Sequence, residues 1–128
     1  INALNDLSDK TMNFKYKDLS KKICDEAISK FYIEEKNIFQ KNEKINNDIF
    51  FIPIDISDNT LPNGNAVMLI NFIRLGMMEE AKKLAKSLNG FLNVYKSHMI
   101  TAIRAIDFYN NISSGKNCNE QGCVINEN

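Results

Sequence analysis

From Ala66 to Leu75 the chain reads AVMLINFIRL, ten residues of which only Asn71 and Arg74 are polar. A helix that is apolar nearly all round has no face for water and must be enclosed on most sides. The rest of the chain therefore has to supply neighbours for it. Pro62 disfavours helix at Leu61, so the approach is extended, and Asn63 or the Gly64-Asn65 pair stands where the helix must start. Gly76 is placed to end it as the glycine just past the last turn.

The neighbours are amphipathic. Ile1, Leu4 and Leu7 recur at helical spacing, which predicts a helix to about Lys10. Thr11 to Lys17 read as a connection, with Asp18 the favoured cap of the next helix. That helix carries Leu19, Ile23, Cys24, Ala27, Ile28 and Phe31 on one stripe. Between Glu34 and Ser57 the period changes. Asn37-Ile38-Phe39 and Asp48 to Ile52 are short β-type runs around a polar stretch, and they predict a small β-hairpin excursion ended by Pro53. Beyond Gly76, Met77 to Phe91 form a second amphipathic helix with Asn89-Gly90 as its stop. Val94 to Tyr109 form a third, with Tyr95, Met99, Ala102, Ile103 and Ile106 inward. The expected fold is mostly α, with short connections making successive helices antiparallel hairpins. Residues 1–111 carry the helices and 112–128 a polar, flexible tail.

Composition bounds the partners. With 128 residues the chain can bury one real core, and its 16 basic and 16 acidic residues are interspersed at a net charge of zero. Nothing in that pattern favours nucleic acid or an anionic membrane. No apolar run reaches the roughly 20 residues that span a bilayer, and no signal peptide is visible, so the expected location is the cytoplasm. The chain opens on Ile1 inside a helical pattern, as a piece of a longer protein would. Cys24 reads as a buried, inert thiol. Cys118 and Cys123 are a lone C-x4-C pair, fit for a local disulfide or for two reduced thiols, and short of a zinc ribbon. No cofactor or metal site is expected.

Asp58-Asn59-Thr60-Leu61-Pro62-Asn63-Gly64-Asn65-Ala66-Val67 resembles the D-G-A-x-P-S-G-N-S-V segment of a widespread family. Asn71 to Leu75 is similar to the N-L-L-R-L that follows there, Ala105-Ile106-Asp107-Phe108 to its A-L-D-F, and Cys118-x4-Cys123 to its terminal C-x4-C. Ile1 to Leu7 fits its I-x-A-L-x-x-L helix. These are the thioredoxin-domain-containing proteins similar to spermatogenesis-associated protein 20 and the bacterial YyaL-type proteins. The resemblance implies the C-terminal hairpins of an (α/α) toroid, like those of six-hairpin glycosidases and N-acylglucosamine 2-epimerases, the remainder of the parent chain completing the ring. Asn59, Asn63 and Ala66 depart from the family's glycine and serines, and the thioredoxin domain's C-x-x-C is absent.

Ligands of such toroids sit at the ring mouth, beside loops that feed inner helices. Asp58 is then the candidate general acid/base, with Asn63 and Asn65 as hydrogen-bond partners for a carbohydrate ligand. The same residues serve equally as a turn and a helix cap. A glycosidase pairs two carboxylates roughly 5–10 Å apart, and Asp55 is the nearest second acid. Arg74 needs a partner inside its apolar helix. Asp107 is expected to provide it, with binding of a substrate phosphate or carboxylate as the alternative. His98, the one histidine, reads as a surface residue. Two functions remain open: a non-catalytic portion of a protein related to sugar-processing enzymes, and a helical scaffold that binds protein partners. A fragment of a ring should also expose apolar helix faces and form homodimers.

Overall fold

The computed structural model describes residues 1–43 and 53–115, together with the backbone of residues 117–119 and 122–124. Those residues are mostly helical, and among them are five α-helices and a small antiparallel hairpin between the second and third. The helices are α1 (Asn2–Thr11), α2 (Phe14–Phe31), α3 (Gly64–Arg74), α4 (Met78–Tyr95) and α5 (Ile100–Ser113). The hairpin pairs β1 (Tyr32–Ile33) with β2 (Ile38–Phe39). A second pair, β3 (Asn117–Asn119) with β4 (Gly122–Val124), follows α5 and sets Cys118 opposite Cys123.

The apolar stretch is the centre of the fold. α3 packs against α1, α4, α5 and β2. Its Ala66, Leu69 and Phe72 are fully buried, and enclosing a side chain the size of leucine or phenylalanine contributes about 1.5–3 kcal/mol. Asn63 caps it: the residue is extended, and its side-chain oxygen accepts the Ala66 N–H at 2.8 Å. Gly76 ends it at φ 75°, with Gly76 N–H donating to the Ile73 carbonyl and Met77 N–H to that of Phe72. These two bonds satisfy carbonyls that the last turn would otherwise leave bare. The same turn leads directly into α4.

Several expected boundaries shift, each for a local reason. α2 begins at Phe14 because Asn13, not Asp18, caps it by accepting the Lys15 N–H. The α1–α2 connection is therefore only Met12 and Asn13, with Met12 in the left-handed region at φ 54°. Asn89-Gly90 does not stop α4, which continues through Gly90 to Tyr95. A 3-10 turn, Lys96–His98, then precedes α5. Ile38 and Phe39 pair with Tyr32 and Ile33 across a tight turn in which Asn37 takes φ 50°, a conformation asparagine tolerates. Asp48 to Ile52, expected as the partner strand, lie outside the described residues.

Three helices differ from the expected faces. In α2, Leu19 and Ile23 are exposed while Ser20 and Cys24 are buried, with Ala27, Ile28 and Phe31 packed on the core. In α1, Leu7 is exposed and Asn5 and Ser8 are buried. Of the expected third helix, Met99 just before α5 and Ala102 and Ala105 within it are buried, while Tyr95 at the end of α4 and Ile103 are exposed. The physical reason for α1 lies in α3. Asn71 and Arg74, three residues apart, share one face of that helix. They are met by Asn5 (3.1 Å to Asn71) and by Asn2, Asp6 and Asp9, the four forming a polar stripe at helical spacing along α1. Ser20 of α2 extends this seam by donating to the Asn5 side-chain oxygen at 2.8 Å.

Phe39 joins hairpin and helix. Its ring meets Tyr32 edge-on at 4.9 Å and Phe72 at 5.8 Å between centroids, distances at which aromatic pairs attract beyond simple burial. Among the described residues, no helix is long and apolar enough to cross a membrane.

Candidate functional site

The loop from Asp58 to Asn63 runs between the starts of α3 and α5, and Asp58 binds both. Its Oδ1 accepts the backbone N–H and the side-chain amide of Asn63, each at 3.0 Å. Its Oδ2 accepts the Thr101 backbone N–H at 2.7 Å, and its own N–H donates to the His98 carbonyl at 2.6 Å. Thr101 lies in the first turn of α5, where N–H groups lack intrahelical acceptors and a carboxylate is favoured by the helix dipole. Partial desolvation pushes the Asp58 carboxyl up, but the N–H donors of Thr101 and Asn63 outweigh it and hold the group below its ordinary value. A carboxylate fixed as an anion by three N–H donors is a poor proton donor at neutral pH.

Asn63 and Asn65 are both buried. Asn63 spends its side chain on the cap and on Asp58. Asn65 faces the hairpin: its Oδ1 accepts the Phe39 N–H at 2.8 Å, and its Nδ2 donates to the carbonyls of Phe39 and Asp55, both at 3.0 Å. One amide side chain thereby completes a backbone pairing at the edge of β2 and also fixes the returning chain at Asp55.

Arg74 is not paired with Asp107. Its guanidinium donates to Asp6 and Asp9 of α1, both at 2.7 Å, and to Asn2 at 3.1 Å. Burial pulls its pKa down, but the two carboxylates outweigh this and the guanidinium is held firmly charged. Asp107 is exposed and accepts from Asn111, four residues on in the same helix. The pairing failed for a geometric reason: Arg74 and Asn71 share the side of α3 that faces α1, so the acids within reach are those of α1. His98 is exposed, and its contribution is its carbonyl. Cys24 is fully buried, its thiol pushed up to about 11 by desolvation and then by the charge of Asp25.

A cavity of about 340 Å³ opens on the other side of the α3 N-terminus. Ala27, Phe31, Phe39 and Met68 make its apolar wall, and Gln40, Lys41, Asp55, Gly64 and Asn65 complete it. Asp58 and Asn63 are not among its walls. Gln40 was not foreseen as a functional residue. It is 5% exposed, and its Nε2 is a buried side-chain polar atom with no hydrogen-bond partner among the described residues. The polar residue following the Ile38-Phe39 run was the one available sequence signal. Lys41 and Asp55 form an ion pair at 3.9 Å at the rim.

Among the described residues, no group of three potential metal-binding side chains is found. No family model matches this sequence, and no curated protein or solved structure matches it.

Proposed function

We propose that the chain is a non-catalytic helical scaffold, in which the Asp58 to Asn65 stretch holds three elements together. The observation that carries this is the use of its polar atoms. Asp58, Asn63 and Asn65 direct seven hydrogen bonds of 2.7–3.0 Å into the fold's own loops, strand and helix starts. A group engaged on this scale would have to give up native bonds to reach a substrate, each exchange leaving a buried partner unsatisfied at about 1–3 kcal/mol. In the wider reading, the scaffold is the closing part of an (α/α) ring in a YyaL-type, thioredoxin-domain parent. Its support is the ordered set of sequence motifs and a central apolar helix enclosed by its neighbours.

The sugar-processing alternative draws less from the geometry. Asp55 is paired with Lys41 at the rim, and the cavity beside Asn65 is walled mainly by apolar side chains. Calorimetric titration of the chain with neutral mono- and disaccharides is expected to show no saturable binding. Asp58→Asn, which replaces one acceptor oxygen with an amide donor facing N–H groups, is expected to lower stability by about 1–3 kcal/mol. A one-to-one sugar complex that weakens in Asp58→Asn, in a variant of unchanged melting temperature, would overturn the scaffold reading.

A further inference from the structure

We propose that Cys118 and Cys123 are a reversible dithiol–disulfide pair, closed across the β3–β4 hairpin by exchange with a low-molecular-weight disulfide such as oxidised glutathione. This is independent of the scaffold reading, which rests on Asp58, Asn63 and Asn65.

The register carries the proposal. β3 and β4 pair antiparallel, with Asn117 opposite Val124, Cys118 opposite Cys123 and Asn119 opposite Gly122. Two residues separate Asn119 from Gly122 in the sequence. In a hairpin of that spacing the pair flanking the turn exchanges both backbone hydrogen bonds, and the next pair out exchanges none. Cys118 and Cys123 are that next pair. Residues opposed there lie roughly 4.5 Å apart between Cα atoms, within the roughly 4.4–6.8 Å that a disulfide spans. A register one residue longer or shorter would set each cysteine opposite a different residue and on the other face of its partner strand. The C-x4-C spacing and the hairpin therefore agree on one bond.

The same geometry makes the bond reversible. Its Cα separation is at the short end of the range, away from the commonest roughly 5.5–6 Å, and such bonds are the more easily reduced ones. The loop it closes is short, so it removes little freedom from the unfolded chain and adds little to stability. The third cysteine of the chain takes no part. Cys24 is fully buried beside Met77, and desolvation pushes its thiol up to about 11. Two cysteines are also only half of the four ligands that close a structural zinc site.

The exchange balances in two steps. One cysteine thiolate attacks a sulfur of oxidised glutathione, whose S–S bond breaks and releases one glutathione thiolate. The other cysteine thiolate then attacks the protein sulfur of the mixed disulfide and releases the second. Two protein thiols are oxidised, one glutathione disulfide is reduced to two thiols, and the protons given up by the cysteines are available to the departing thiolates. Because the hairpin holds the two cysteines opposite each other, the second step is intramolecular and the mixed disulfide does not accumulate.

Equilibration of the full chain in a series of reduced and oxidised glutathione mixtures, followed by acid quenching, alkylation and mass spectrometry of the C-terminal peptide, tests this. Cys118 and Cys123 are expected to lose alkylation together, with a mass lower by two hydrogens, and to recover it in excess reduced glutathione. Cys123→Ser combined with Val124→Cys moves one thiol opposite Asn117 and should lower the equilibrium constant for closure at least about tenfold. Circular dichroism should find the helices unchanged, since the altered positions lie outside them. The proposal fails if the shifted pair closes as readily as the native one, if glutathione adducts accumulate on the two cysteines in place of an internal bond, or if the closed bond resists excess reduced glutathione.

Discussion

Asp58 and Asn65 do different work through similar bonding. Asn65 is neutral and buried, so its two bonds to Phe39 and its one to the Asp55 carbonyl hold the hairpin and the returning chain to α3 at any pH. Asp58 is charged, so its contribution depends on protonation. Its folded-state pKa is depressed, because the donors from Thr101 and Asn63 favour the anion over the opposing cost of desolvation. Its stabilisation is therefore complete above the ordinary carboxylate range and is lost as pH falls through the lowered folded value. Urea unfolding from about pH 5 down to about pH 2 should show the native chain losing more stability than Asp58→Asn, the two curves converging at the acid end. Parallel curves would mean that the carboxylate is not held as an anion by these donors. Cys24 has no comparable window near neutrality, since burial keeps its thiol protonated.

At the scale of elements, Gly76 and Gly90 differ although both looked like stop signals. Gly76 sits at φ 75°, where an L side chain is strained, and its N–H closes the end of α3. Gly90 lies inside α4, and a Cβ built there meets nothing within 4 Å. Gly90→Ala should raise stability by about 0.5–1 kcal/mol. Gly76→Ala should lower it by about 1–2 kcal/mol. Chemical denaturation of the two variants checks both signs, and a stabilised Gly76→Ala would contradict the observed end of α3. The caps of α3 and α5 illustrate another contrast. Asn63 serves α3 from three residues before Ala66, a local arrangement visible in sequence. The carboxylate at the start of α5 comes from Asp58, 43 residues before Thr101, and no spacing rule connects them.

The whole molecule leaves apolar side chains uncovered. Met12 and Phe14 at the α1–α2 turn, and Leu19 and Ile23 along α2, are exposed, as are Val94, Ile100 and Ile103 near the α4–α5 junction. In a ring, these are positions where further hairpins would pack; in the isolated chain they favour self-association. Sedimentation equilibrium should find a concentration-dependent dimer that Phe14→Ser and Ile23→Ser together weaken without loss of helix content. A monomer at high protein concentration would sink that expectation. α3 is enclosed by α1, α4, α5 and β2, and the polar residues at its start bind those neighbours.

The enclosed helix at Gly64–Arg74, its asparagine cap, its glycine end and the mostly helical character were legible in the residues alone. Each depends on groups within a few positions of one another, where backbone geometry leaves few options. The sides turned inward by α1, α2 and α5 were not legible in full. They depend on which surface of another helix each meets, and α1 buries Asn5 and sets the exposed Asp6 and Asp9 along its seam with α3 because α3 offers Asn71 and Arg74 there. The partner of Arg74 was ambiguous among 16 acids, and only the packing of α1 on α3 singled out Asp6 and Asp9. Gln40 was equally hidden, since a glutamine after a short strand is ordinary until the fold buries it beside a cavity. Residues near in sequence are constrained by covalent geometry; residues brought together from opposite ends of the chain are selected by the summed energetics of packing, which no local pattern contains.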